Sequence, residues 1–557
     1  LPRIATNGFF TADCHSCPFV QLVAKPFIMK KQSKTPLFGT IRKAFGMALA
    51  AERSQTSAEE IVQRSDEYRR SRRRFLENMG KTALIGSFAP QLVLPKGGNF
   101  FSRALAPRIA IVGGGIAGLT ALHTLKKSGL DATIYESSNR TGGRIFSVTD
   151  AMGANTWTEF GGEFIDTNHA DMWRLAKEFD LELMDFAQAS EAKLTKEAFY
   201  FNGQHYSLAQ VVEEFRGFAP RMKADIDKLD DEISFKTKNK VVKKFDRLPL
   251  SQYLEQIGAS GWIKRLIEVA YESEYGLSPE VQSSLNLLLL ISTETPNGQW
   301  EVFGESDERY KVRNGNQGIP NALAERHANH LEMGLALEAI RSKGSAYALY
   351  FAGMSETVLA DFVILTIPFT VLRKLDVKLE MPEVKRKCIH ELGYGINAKL
   401  MIGMKRHFWR EKGYTGLVYS DNGIPNGWDN AQLQTADDQA AGLSILFGGR
   451  RGTNVGHGTQ EQQKDKYLKL WEQIFPGASA AFNGKTARMD WPTYPHALGS
   501  YVCPTVGQYT SIGGAEQMPI GNVLFAGEHC GGDFAGFMNG AAQSGREAAE
   551  AVLLKVK

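Results

Sequence analysis

The residues of this chain best placed for chemistry are glycines and charged residues at fixed spacing, not nucleophiles. Gly113-Gly114-Gly115-Ile116-Ala117-Gly118 makes GxGxxG, Glu136 follows 23 residues after Gly113 with Ser137 beside it, and Arg140-Thr141-Gly142-Gly143-Arg144 comes directly after. Gly113 permits a tight turn, Gly115 lets backbone approach a pyrophosphate, and Gly118 lets a helix pack closely on a strand. Glu136 is placed to accept hydrogen bonds from an adenosine ribose. Other chemistries lack their residues: no HExxH, no GxSxG and no Cys/His spacing of a metal site occurs, so no metal is expected. Cys14 and Cys17 form a CxxC without a flanking βαβ pattern, and Cys388, Cys503 and Cys530 follow no framework spacing.

Such glycines work only on particular elements. Residues 108–112 are a short apolar run, the mark of a buried parallel strand. After the glycines, Ile116, Leu119, Leu122 and Leu125 share one helical face and Gly129 is placed to end the helix. Residues 131–136 read as a second strand ending in the acid. This strand–glycine–helix–strand–Glu unit predicts an α/β, Rossmann-like dinucleotide-binding domain; helix N-terminal N–H groups would take the phosphates. The second glycine–arginine cradle suits an extended FAD, whose pyrophosphate and ribityl chain run past the first helix. A plain nicotinamide dinucleotide does not need it.

The same stretch resembles the flavin amine oxidase superfamily, which includes monoamine, polyamine and L-amino acid oxidases. The resemblance covers residues 107–557 and returns in separate blocks: Glu159-Phe160-Gly161-Gly162-Glu163-Phe164-Ile165-Asp166, Arg313-Asn314-Gly315-Asn316-Gln317-Gly318, the strand-like run 360–368 ending in Pro368, Ala526-Gly527-Glu528-His529, and Gly536-Phe537-Met538-Asn539-Gly540. It implies an FAD domain joined to an α+β substrate domain, and oxidation of an amine by hydride transfer to flavin N5, with O2 or another acceptor taking the electrons onward. It implies cofactor contacts at Gly113, Gly115, Ile116, Ala117, Gly118, Glu136, Ser137, Arg144, Gly161, Gly162, Glu163, Phe164, Gly527, Glu528, Gly536, Phe537 and Met538. Within this set Glu528 would bind the ribityl hydroxyls, and the helix opening near Phe537 would turn its positive end to the flavin. By the same resemblance Lys399 would hold a water against flavin N5, and Tyr501 and Phe537 would wall the substrate slot.

Three departures refine the expectation. Ser500 stands where monoamine oxidases carry the cysteine bonded to FAD, so the cofactor is expected to be non-covalent. Phe164 occupies the position of the carboxylate-binding arginine of many L-amino acid oxidases, and Asp166 falls where some polyamine oxidases place an acid near a distal cationic amine. Both favour an amine over an amino acid as the small-molecule partner. The alternatives are an L-amino acid oxidase giving a 2-oxo acid and a flavin-binding or electron-transfer protein without oxidase activity.

The chain has 557 residues, 43% hydrophobic and 23% charged, enough for a large core and incompatible with disorder. Its net charge of +4 divides unevenly: residues 1–106 hold 17 Lys+Arg against 7 Asp+Glu. The remainder is mildly acidic, which argues against a nucleic-acid surface, and no apolar run reaches the length of a membrane span. Within the basic part, Ser71-Arg72-Arg73-Arg74-Phe75-Leu76 fits a twin-arginine export motif. A modestly apolar stretch over 82–94 and the small-x-small triplet Ala104-Leu105-Ala106 follow in order. Residues 1–106 are therefore expected to be a leader with a start at Met29 or Met47, directing the protein to the periplasm or outside the cell. The FAD domain is expected from 107–180, 312–385 and 500–557, and the substrate domain from 181–311 and 386–499. The basic stretch 236–244 reads as a solvated loop or helix face. A homodimer is left open.

Overall fold

The computed structural model describes residues 36–65, 106–291 and 307–556. The export motif at 71–76, the stretch 82–94, the triplet at 104–106 save its last residue, Cys14, Cys17 and Met29 lie outside them. Among the described residues no helix is long and apolar enough to cross a membrane, and no group of His, Cys, Asp and Glu is arranged to hold a metal ion.

A five-stranded, wholly parallel sheet organises one half of the molecule, in the order Val523–Phe525, Phe362–Leu365, Ile109–Val112, Thr133–Glu136, Leu331–Met333. The central strands are short and apolar because both faces are covered. Helix Ile116–Lys127 covers one face and packs against the closing helix Met538–Val556. Gly545 allows that contact: a Cβ there would stand 2.1 Å from the Ala117 carbonyl oxygen. Gly129, at φ +82°, turns the chain out of the first helix.

A seven-stranded mixed sheet builds the other half, in the order Phe482–Asp490, Ala398–Met404, Ala441–Phe447, Asn426–Asp429, Tyr414–Ser420, Thr195–Phe201, Gln204–Tyr206. Strands Ala398–Met404 and Ala441–Phe447 are buried along their whole length, so neither shows the alternation of a half-exposed strand. Helices Leu208–Arg216, Leu250–Gln256, Gly261–Tyr275 and Leu285–Leu290 pack over this half in one apolar core. The basic stretch at 236–244 runs into helix Lys240–Asp246, whose lysines are half-buried or exposed.

Within the stretch expected to be leader, helix Pro36–Ser54 joins the core of the helical layer. Ile41, Ala44, Phe45 and Ala48 recur at helical spacing and are fully buried, with the Phe45 ring edge-on to Phe215 at 6.2 Å. The Thr40 hydroxyl donates to Glu197, and Met47 is buried in the middle of the helix. Basic Arg42, Lys43 and Arg53 masked this stripe in the composition.

Candidate active site

A long cleft runs from the glycine turn to the meeting of the two halves. Its first end is backbone. A Cβ on Gly113 would meet Thr366 Oγ1 at 2.5 Å, and one on Gly118 would meet the Gly113 carbonyl oxygen at 2.0 Å, so these two glycines permit the turn and the packing. Gly115 and Gly143 face one another differently, the nearest foreign atom to a Cβ on either being the Cα of the other, at 4.0 and 3.4 Å. They leave a channel bounded by main chain, the shape a pyrophosphate requires. Gly142 N donates to the Gly114 carbonyl, locking the second cradle onto the first. Glu136 ends its strand beside them; its carboxylate accepts from Gly114 N at 2.6 Å and Ser138 N at 2.8 Å. Ser137 Oγ bonds His496 Nδ1 at 2.8 Å. These are a ribose-facing acid, a phosphate channel and a helix N-terminus in the order an FAD needs, and the residues present fit it.

In the middle of the cleft Arg144 Nη1 donates to Glu528 Oε1 at 2.9 Å and to the Ser500 carbonyl, while Glu528 Oε2 accepts from Val502 N. Gly527, at φ +135°, shapes this turn, and Ser544 Oγ bonds both its N–H and its carbonyl, tying it to the closing helix. Gly161 and Gly162 lie where a side chain would collide with the Arg144 carbonyl and with Met538.

The far end is aromatic and buried. Phe164, Trp428, Leu446, Tyr501 and Phe537 line it, with Asp166, Glu308 and Lys399. The Tyr501 hydroxyl donates to the Ser273 carbonyl at 2.9 Å, and burial, with nearby Glu274, pushes its pKa well up, so the phenol stays neutral. Phe537 meets the His169 ring edge-on at 5.1 Å. Phe164 lies 5.8 Å from Trp428. Ser500 Oγ donates to Asn397, and among the described residues no cysteine lines the cleft.

Lys399 is held by three protein acceptors. Its ammonium donates to the carbonyls of Glu159 at 3.1 Å and Gly161 at 2.8 Å and to Glu163 Oε2 at 2.8 Å. All three N–H groups are thereby used, and holding a water there requires giving one of them up. The Glu163 carboxylate is bound by Lys399, Lys311 and Trp428 Nε1. Burial would raise Glu163, but the two ammonium groups hold it below the usual carboxylate range. Burial lifts neighbouring Glu159 to about 7.

Every other expected site residue lines the cleft except Gly118, which packs behind it. Lys311, Trp428, Glu308 and His496 belong to the site and were not found from sequence. Lys311 and Glu308 sit just before the Arg313 block, where only position hinted at them. Trp428 and His496 carry no motif.

The family model for flavin containing amine oxidoreductases matches residues 116–553. A flavin-containing amine oxidase of Danio rerio is 22% identical over 80% of this chain and 85% of its own length. An L-amino acid dehydrogenase of Synechocystis sp. is 23% identical over 80% of this chain and 94% of its own. Among solved structures, cyclohexylamine oxidase from Brevibacterium oxydans superposes with a TM-score of 0.70 at 19% identity, covering 81% of this chain and 99% of that one. The glycine cradle, the acid at its ribose end and the match over most of the length agree: the chain belongs to the flavin containing amine oxidoreductase family, and its cofactor is FAD.

Proposed function

We propose that this protein oxidises an amine at the carbon next to its nitrogen, with FAD held non-covalently and O2 reduced to hydrogen peroxide. One observation carries the reading. The cleft that begins in the phosphate channel ends in a chamber of aromatic rings with the acids Glu163, Asp166 and Glu308, and the two arginines of its described lining, Arg140 and Arg144, are bound to protein groups. When bound, FAD supplies the two-electron acceptor for the bond being broken.

The chain's own residues supply the rest. Tyr501, Phe537, Phe164 and Trp428 exclude water, and a dry chamber disfavours the ammonium form, so a nitrogen placed there sits as the free amine. Tyr501 serves as a wall, since its hydroxyl is spent on Ser273. The first residues of helix Met538–Val556 line the cleft and present free N–H groups and a positive dipole end to negative charge. Lys399, fixed by Glu163, sets a positive group in the chamber wall. Arg144 and Glu528 would meet the ribityl chain.

The Synechocystis relative favours a second reading, oxidation of an L-amino acid. The cleft's two arginines do not suit it: Arg140 donates to the carbonyls of Thr141 and Ile145, and Arg144 pairs with Glu528. The motif at 71–76 further supports export by the twin-arginine route. Anaerobic mixing of the yellow protein tests the function. Bleaching by tyramine or putrescine is expected; bleaching by L-leucine or L-lysine alone would transfer the activity to amino acids, and bleaching by none would leave a flavin-binding protein without oxidase activity.

A further inference from the structure

Part of the wall around the ribose end of the cleft comes from the other half of the molecule. Strand Phe482–Asp490 of the mixed sheet runs into residues 491–498, and from this loop Trp491, Tyr494, His496 and Ala497 line the cleft together with both glycine cradles. The loop is closed on itself: the Ala497 and Leu498 N–H groups both donate to the Tyr494 carbonyl, at 3.0 and 2.9 Å. Its two ends are tied down, Trp491 Nε1 donating to the Phe160 carbonyl and Thr370 Oγ1 to the Ala497 carbonyl. Leu498 is left-handed, at φ +54°, a conformation unfavourable for leucine that persists only where surrounding contacts impose it.

The loop meets the first cradle through a side-chain hydrogen bond. His496 Nδ1 and Ser137 Oγ are 2.8 Å apart, and Ser137 directly follows the ribose-facing Glu136. The Glu136 carboxylate already accepts from Gly114 N and Ser138 N, and its remaining lone pairs are those a ribose needs. Ser137 Oγ lies 3.4 Å from Glu136 Oε1, so its O–H could compete for them. Donated to His496 Nδ1 instead, that O–H leaves the lone pairs open and holds the loop at the same time. With no covalent bond expected at Ser500, the residence of FAD depends on contacts of this kind.

We infer that His496 is a positioning residue that acts as a latch: through Ser137 it holds the 491–498 loop at the ribose end of FAD and so sets how long the cofactor stays bound. This rests on the non-covalent FAD of the proposed function and does not depend on which substrate is oxidised.

The test follows the rise of free FAD fluorescence after dilution of the holoenzyme, in the wild type, His496→Ala, Ser137→Ala, the double variant and His496→Asn. His496→Ala should release FAD about three- to tenfold faster, the effect of one lost hydrogen bond. Ser137→Ala should act in the same direction, and the double variant should be no faster than the faster single one, because both changes remove one bond. His496→Asn, whose side-chain amide can meet the Ser137 hydroxyl, should recover most of the wild-type residence time, which a mere loss of packing would not permit. Should His496→Ala fail to fold, Ser137→Ala decides: faster release supports the latch and unchanged release overturns it. Wild-type release from His496→Ala overturns the inference. So does a double variant accelerated by the product of the two single effects, or a His496→Asn no better than His496→Ala. Chromophore that acid precipitation releases from no form overturns the non-covalent reading, and this inference with it.

Discussion

Lys399 and Glu163 form a buried ion pair of 2.8 Å in the cleft wall, and Lys311 binds the other oxygen of the same carboxylate. Lys399 comes from the strand Ala398–Met404 of the mixed sheet, Lys311 from Tyr310–Val312, and Glu163 from the loop after Gly162. One acid thus joins three separate segments and leaves a net positive charge where the parallel-sheet and mixed-sheet halves meet.

Replacing Lys399 with Met should leave FAD bound but slow flavin reduction or reoxidation by at least about tenfold, or ~1.4 kcal/mol of barrier. Stopped-flow absorbance at the flavin band measures both half-reactions. Unchanged rates in each would remove Lys399 from the chemistry.

Glu163→Gln should destabilise the protein by about 3–5 kcal/mol, since two buried ammonium groups lose their shared counter-ion. The effect depends on pH. Glu163 is held below its unfolded pKa, so its stabilising contribution is complete above about pH 4.3 and is lost as pH falls through the depressed folded value. Urea denaturation should therefore show the gap between wild type and variant wide at pH 7 and closing in acid. A gap that does not change with pH would refute the shared-carboxylate account.

Ser500 in place of a cysteine makes a covalent flavin bond unexpected, and the buried Cys503 thiol lies outside the cleft lining. Acid precipitation should release the yellow chromophore into the supernatant. Colour retained in the washed pellet would show a covalent link at another residue.

Helix Pro36–Ser54 should be needed for stability, although it precedes the export motif in the chain. Phe45→Ala removes a fully buried ring and should cost about 3–5 kcal/mol in urea denaturation. A loss under about 0.5 kcal/mol would mean that the helix is not packed in solution.

The dinucleotide cradle was legible from sequence because its pieces are local. Gly113, Gly115, Gly118 and Glu136 lie within one strand–turn–helix–strand, where allowed backbone angles and close approach depend on the residue itself. The buried strand at 109–112 was equally plain, since a fully covered strand is continuously apolar. The groups gathered around the Lys399–Glu163 pair were not legible. Glu163, Lys311 and Trp428 stand 236, 88 and 29 residues away in sequence and meet only when the two sheets pack. The same holds for Glu308 beside Asp166, and for Ile41 and Phe45, whose apolar stripe is concealed by basic neighbours until the helical layer receives it. Residue type and short spacing therefore determined where FAD binds, while folding decided which buried charges share a wall, because the cost of burying a charge depends on what long-range packing puts against it.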